Sequence, residues 1–139
     1  MNLEKTTNPP SAAPQPDAAG PRVRLMVHEG RQVVLIDGSR LAVEPAKAVF
    51  VAARAVVARH APKSALTLTD VTGMLFDDAL VSVVRETIAA DEPYVKAAAV
   101  VGITGLKKIV INTLVLLTGR PLRTFDTRER ALAWLVQQV

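Results

Sequence analysis

Three aspartates and one glycine-bearing turn are the residues whose types and spacing could do chemistry. Asp70, Asp77 and Asp78 bracket the passage from an alternating segment to an apolar-periodic one. Carboxylates at strand ends of α/β folds can hold a metal or take a proton. At a helix start they instead accept hydrogen bonds from free backbone N–H groups, and the spacing favours that capping role. The second feature, Gly102-Ile103-Thr104-Gly105, follows an apolar run and precedes a helical pattern whose first turn carries Lys107 and Lys108. Free N–H groups at such a start can hold an anion. Gly102, Thr104, Gly105, Lys107 and Lys108 are therefore a candidate ligand site for a small anion or a lipid headgroup. The spacing matches neither the P-loop nor the dinucleotide fingerprint, so the favoured reading makes the glycines turn formers and Thr104 a cap.

Beyond that turn, a period of about 100° per residue puts Leu106, Ile109, Val110, Thr113, Leu114, Leu116 and Leu117 on one arc. The opposite arc holds Lys107, Lys108, Ile111, Asn112, Val115 and Thr118. Ile111 and Val115 thus sit on the face expected to be wet, rimmed by lysines. Such a surface suits contact with a protein or an anionic lipid.

Other chemistry is sparse. His28 and His60 lie on separate segments, so no nucleophile–histidine–acid set is evident. His60 falls at the end of a helical pattern, where its ring can serve the helix dipole. There is no cysteine, which excludes disulfides and thiol chemistry, and no His or Cys spacing suits zinc. No cofactor is implied, and the expectation is a non-catalytic protein.

The 139 residues suffice for one domain and a tail. Half of them are hydrophobic but only 4% are aromatic, so the core must be aliphatic. The net charge of +4 is dispersed along the chain and not gathered in a run, which argues against a nucleic-acid partner. No apolar stretch approaches the roughly 20 residues of a membrane span, and no secretory leader is evident; the expected location is cytoplasmic.

Residues 1–21 contain five of the nine prolines and no apolar period, and are expected to be a disordered tail ahead of a domain spanning 22–139. Arg22–His28 alternates, with Val23, Leu25 and Val27 on one side and Arg24, Met26 and His28 on the other, and reads as a half-exposed strand at a sheet edge. A short turn at Glu29-Gly30-Arg31 leads into Gln32–Asp37, a strand buried on both faces. Pro45–His60 reads as a helix, Ser64–Asp70 as a strand, and Asp77 or Asp78 as the opening of a helix with Leu80, Val83, Val84 and Ile88 inward. Tyr94–Val101 is a fourth strand and Pro121–Phe125 a fifth. The last helix, Arg128–Gln138, should be capped by Asp126 with Glu129 three residues on, burying Leu132, Leu135 and Val136. The order β-β-α-β-α-β-α-β-α predicts an α/β fold: a mixed, mostly parallel five-stranded sheet with four helices.

Three segments carry a family resemblance: Thr67–Gly73 (TLTDVTG), Pro93–Lys108 (PYVKAAAVVGITGLKK) and Gly119–Leu135 (GRPLRTFDTRERALAWL). Together they resemble small bacterial STAS-like proteins, the group named for sulfate transporters and anti-sigma-factor antagonists and linked to the CRAL-TRIO lipid-binding fold. The resemblance implies a regulatory module that binds a protein partner, through Asp77, Asp78, Lys107, Lys108, Ile111 and Val115. Anti-sigma-factor antagonists carry a phosphorylatable serine in an Asp-Ser-Ser/Thr-Gly-like turn at the second helix start. Aligned with that turn, Asp77 stands at its aspartate and Asp78 at the serine position, so the hydroxyl is missing. Thr72 and Ser82 are the nearest hydroxyls, and neither stands at the motif position.

Overall fold

A computed structural model describes residues 22–104 and 121–138. Five strands form one sheet in sequential order: β1 (Val23–His28), β2 (Arg31–Asp37), β3 (Ala65–Asp70), β4 (Val95–Val101) and β5 (Leu122–Phe125). β1 runs antiparallel to β2, and β2 to β5 are mutually parallel, as the alternation of strands and helices predicts. Among the described residues there are three helices: α1 (Val43–Val57), α2 (Asp78–Asp91) and α3 (Arg128–Leu135). The fourth expected helix, with Lys107, Lys108, Ile111 and Val115, lies outside the described residues, as does the expected tail.

β1 and β2 are joined by Glu29-Gly30, both at positive φ (48° and 78°). That is the two-residue turn whose twist matches a hairpin. Sheet residues alternate between faces, and in β2 both faces are buried. Val34 and Ile36 join Ala98 and Val100 against α1 and α2. Val33 and Leu35 join Leu66, Leu68, Ala97, Ala99 and Val101 against α3. Two cores therefore lie on opposite faces, both aliphatic at the sheet, as the small aromatic content requires.

α1 and α2 lie side by side. The Arg54 guanidinium reaches across from α1, donating to Thr87 Oγ1 at 2.9 Å and to the Val83 carbonyl at 3.2 Å. This explains how Thr87 can be buried on the inner face of α2 without a desolvation penalty. Past the end of α1, His60 Nδ1 lies 3.2 Å from the Val56 and Val57 carbonyls, the last-turn role that its position predicts.

β1 is a half-exposed strand at the sheet edge, as its alternation predicts: only Val23 is buried, while Leu25 and Val27 are 50% and 70% exposed. Met26, on the opposite face, packs on the α3-side core instead. The cap of α3 is Thr127, whose Oγ1 accepts from Arg130 N at 3.2 Å, and not Asp126. Val136 is the residue after α3 and is only half-buried, while Ala131 is buried with Leu132 and Leu135.

Leu68 is fully buried at the middle of β3, facing α3. Leu68→Ala should cost about 2–5 kcal/mol of unfolding free energy, cavity included, measured by urea denaturation. A loss below about 1 kcal/mol would mean that this face is loosely packed.

Candidate functional site

Parallel strands joined by crossovers place their C-terminal ends, and the starts of the following helices, along one edge of the sheet. That edge carries every described candidate residue. β2 and β3 end in the same way and in register: Asp37 stands beside Asp70, and each is followed two residues later by a hydroxyl, Ser39 and Thr72. Asp37 Oδ1 accepts from Ser39 N (3.0 Å) and Ser39 Oγ (2.6 Å). Asp70 Oδ1 accepts from Thr72 N (2.9 Å) and Thr72 Oγ1 (2.6 Å). These are Asx turns, in which a short acid turns the chain by bonding its own backbone. The two turns are stitched together, since Gly38 N donates to the Asp70 carbonyl and Arg40 N to that of Thr72, both at 2.8 Å.

Arg128, the first residue of α3, lies across both acids. Its Nε donates to Asp70 Oδ2 at 2.8 Å, and its Nη2 is 3.4 Å from Asp37 Oδ1. Arg22 adds a weaker charge, with Nη1 3.8 Å from the same Asp37 oxygen. Burial alone would raise the Asp70 carboxyl. The Thr72 bonds, then the Arg128 bond and charge, outweigh it and hold the group below the ordinary carboxylate value. Asp37 behaves alike: burial opposes, while Ser39, Arg128 and Arg22 lower it. Asp70 thus has both oxygens engaged and stays ionised, which leaves it unsuited to take up a proton near neutrality. Among the described residues no group of three His, Cys, Asp or Glu is arranged to hold a metal ion.

Gly102 ends β4 at φ +87°, and a Cβ there would stand 2.7 Å from Thr72 Cα and 2.8 Å from Thr72 N. Its conformation and its close approach to the β3 turn both require glycine. Gly102 N donates to the Phe125 carbonyl at 3.2 Å, so its N–H is spent inside the sheet edge. Ile103 is buried and Thr104 exposed. Gly105, Lys107 and Lys108, the remainder of the expected anion site, lie outside the described residues.

Asp77 is the N-cap of α2, its Oδ1 accepting from Leu80 N at 2.8 Å. Asp78 is exposed in the first turn, where its charge favours the helix dipole. Leu75, just before them, is 59% exposed. Sequence reasoning singled out the two acids but missed Leu75 and Arg128. The Leu75 exposure follows from a loop tied back by Leu75 N to the Leu41 carbonyl at 3.0 Å, and the Arg128 pairing joins positions far apart in sequence.

Two solved structures share this fold. One is an uncharacterised protein of the DUF3478 family with a SpoIIAA-like fold, from Shewanella loihica PV-4. It is 14% identical, with a TM-score of 0.65, over 81% of this chain and 91% of that one. The other is an anti-sigma-factor antagonist (STAS) domain protein from Planctomyces limnophilus, 16% identical, with a TM-score of 0.53, over 82% and 97%. The chain has a STAS-like fold. No protein-family model and no curated protein matches its sequence. Among the described residues of this STAS-like chain no helix is long and apolar enough to cross a membrane.

Two outcomes follow from the edge geometry. Groups whose carboxyl pKa is lower folded than unfolded add stability that is complete above the unfolded value, near 4, and is lost as pH falls through the folded value. Arg128→Met should cost about 1–3 kcal/mol at neutral pH, a range reduced from that of a fully buried pair because the guanidinium is partly exposed. It should also flatten or reverse the acid-side loss of stability, read from urea midpoints between neutrality and pH 3. Gly102→Ala, which strains both φ and the Thr72 contact, should lower stability by more than about 1 kcal/mol, with Thr72 amide exchange accelerated.

Proposed function

We propose that this STAS-like chain is a non-catalytic regulatory module that binds a protein partner through the start of α2. The observation that carries the reading is the pairing of exposed Leu75 with exposed Asp77 and Asp78 on the strand-end edge. An apolar side chain beside two carboxylates can seat on a partner surface that offers a pocket and a basic rim. The deeper acids of the same edge, Asp37 and Asp70, are consumed by Ser39, Thr72 and Arg128. They give the edge a fixed shape and no free acid–base pair.

The STAS-like fold supports the regulatory part of this reading, because one structural neighbour is named an anti-sigma-factor antagonist. With Asp78 where that group carries its serine, the interaction is not switched by phosphate at this position. A carboxylate supplies one permanent negative charge there, less than the charge and oxygens of a phosphate.

The test is affinity capture from the native host with wild type, Asp78→Lys and Leu75→Ser, each checked for folding by circular dichroism. A partner retained by wild type should be lost or weakened about tenfold or more by Asp78→Lys, a reversal of charge at the contact. If every specific partner survives both substitutions, the α2 start is not the contact and the proposal fails.

A further inference from the structure

β1 is the terminal strand of the sheet, and its two most exposed apolar side chains, Leu25 and Val27, point to the same face, opposite Val34 and Gln32 of β2. The hairpin fixes where the backbone groups point. His28 and Arg31 flank a two-residue turn, so they form a hydrogen-bonded pair, and such pairs alternate along an antiparallel ladder. Met26 and Arg24 therefore bond inward to β2. The N–H and C=O groups of Leu25 and Val27 point outward, away from the sheet.

We propose that this edge pairs antiparallel with β1 of a second copy of the chain, with Met26 facing Met26 across a two-fold axis. The outward groups decide the parity: Leu25 and Val27 must oppose outward residues of the other copy. Setting Arg24 against Arg24 satisfies parity but opposes like charges, which is destabilising. The register centred on Met26 sets Leu25 against Val27 and Val27 against Leu25, covering both exposed side chains. It also sets Arg24 against His28, whose Nε2 is 3.4 Å from the exposed Glu29 carboxylate. Each Arg24 then meets a carboxylate of the other copy, twice by symmetry. A strand edge with apolar side chains and correctly directed backbone groups is a template for pairing. The self-complementary charges select a second copy as its occupant.

The test uses the full chain. Sedimentation velocity over a wide dilution series should show a monomer–dimer equilibrium. Val27→Lys, at a position exposed enough to keep the fold, should weaken dimerisation by about tenfold or more. Glu29→Arg should weaken it too, and adding Arg24→Glu should restore it, a rescue that a merely structural effect would not give. Because the chain has no cysteine, Met26→Cys reports the register: non-hydrogen-bonded partners have Cα atoms about 4.5 Å apart, within disulfide reach, so mild oxidation should give a covalent dimer. A wild type that is monomeric throughout overturns the proposal. So does a dimer indifferent to Val27→Lys, or a monomer whose Leu25 and Val27 amides are already protected from exchange by the chain's own segment 1–21.

Discussion

Arg128 holds the strand-end edge together. One guanidinium joins Asp37 of β2 and Asp70 of β3, and through them the two Asx turns that lead to α1 and α2. The same residue opens α3, so the ion pairs also fix where that helix begins. At the other end, Arg31 Nη1 donates to the Val136 and Gln138 carbonyls at 3.0 and 2.6 Å, satisfying groups that a helix end leaves without partners. An eight-residue helix is too short to be stable by its own hydrogen bonds. α3 is held on the sheet by an arginine at each end and by Ala131, Leu132 and Leu135 between them.

The two faces of the sheet solve the same covering problem differently. On one face α1 and α2 pack on each other as well as on the strands, with Arg54 of α1 donating into α2. On the other, α3 is the only described helix, and aromatic residues extend it: Phe125 and Trp134 have ring centroids 5.6 Å apart, with the Arg123 guanidinium within 5.7 Å of both. Two of these three residues, Arg123 and Phe125, sit on β5, a four-residue edge strand. Aromatic area and a stacked cation supply there what strand length does not.

The strands were legible because burial dictates their period. Val33–Ile36 and Ala97–Val101 are apolar without interruption, and both stretches are covered on both faces. Element order then determined the sheet, since parallel strands joined by helices leave few topologies. What could not be read was decided at a distance or by a competition between neighbours. The alternation in β1 gave the correct strand and its half exposure, but could not say that Met26, and not Leu25 or Val27, packs on a core. Asp126 and Thr127 both suit a helix cap, and the choice fell to Thr127, one residue from where Arg128 must reach Asp70. Long-range ion pairs leave no periodic trace in sequence, so the aspartate at the end of β3 reads as one more capping acid and its pairing with Arg128 is not visible.

That last point changes how the acidic residues divide. Asp70, Asp77 and Asp78 form a cluster by sequence, yet they meet three different fates. Asp70 is buried and locked by Thr72 and Arg128; Asp77 is exposed but commits one oxygen to the backbone of α2; Asp78 is exposed in the first turn. A catalytic pair needs two groups sharing a proton path or a substrate, with pKa values set apart by their surroundings. Here the buried acid is held ionised, and one of the two surface acids is committed to capping. What remains on the edge is a loop tied to its neighbours by hydrogen bonds, the exposed carboxylates of Asp77 and Asp78 and the exposed side chain of Leu75. Those are the features on which the proposed protein contact rests, and the loop is held by the same acids that would otherwise have suggested chemistry.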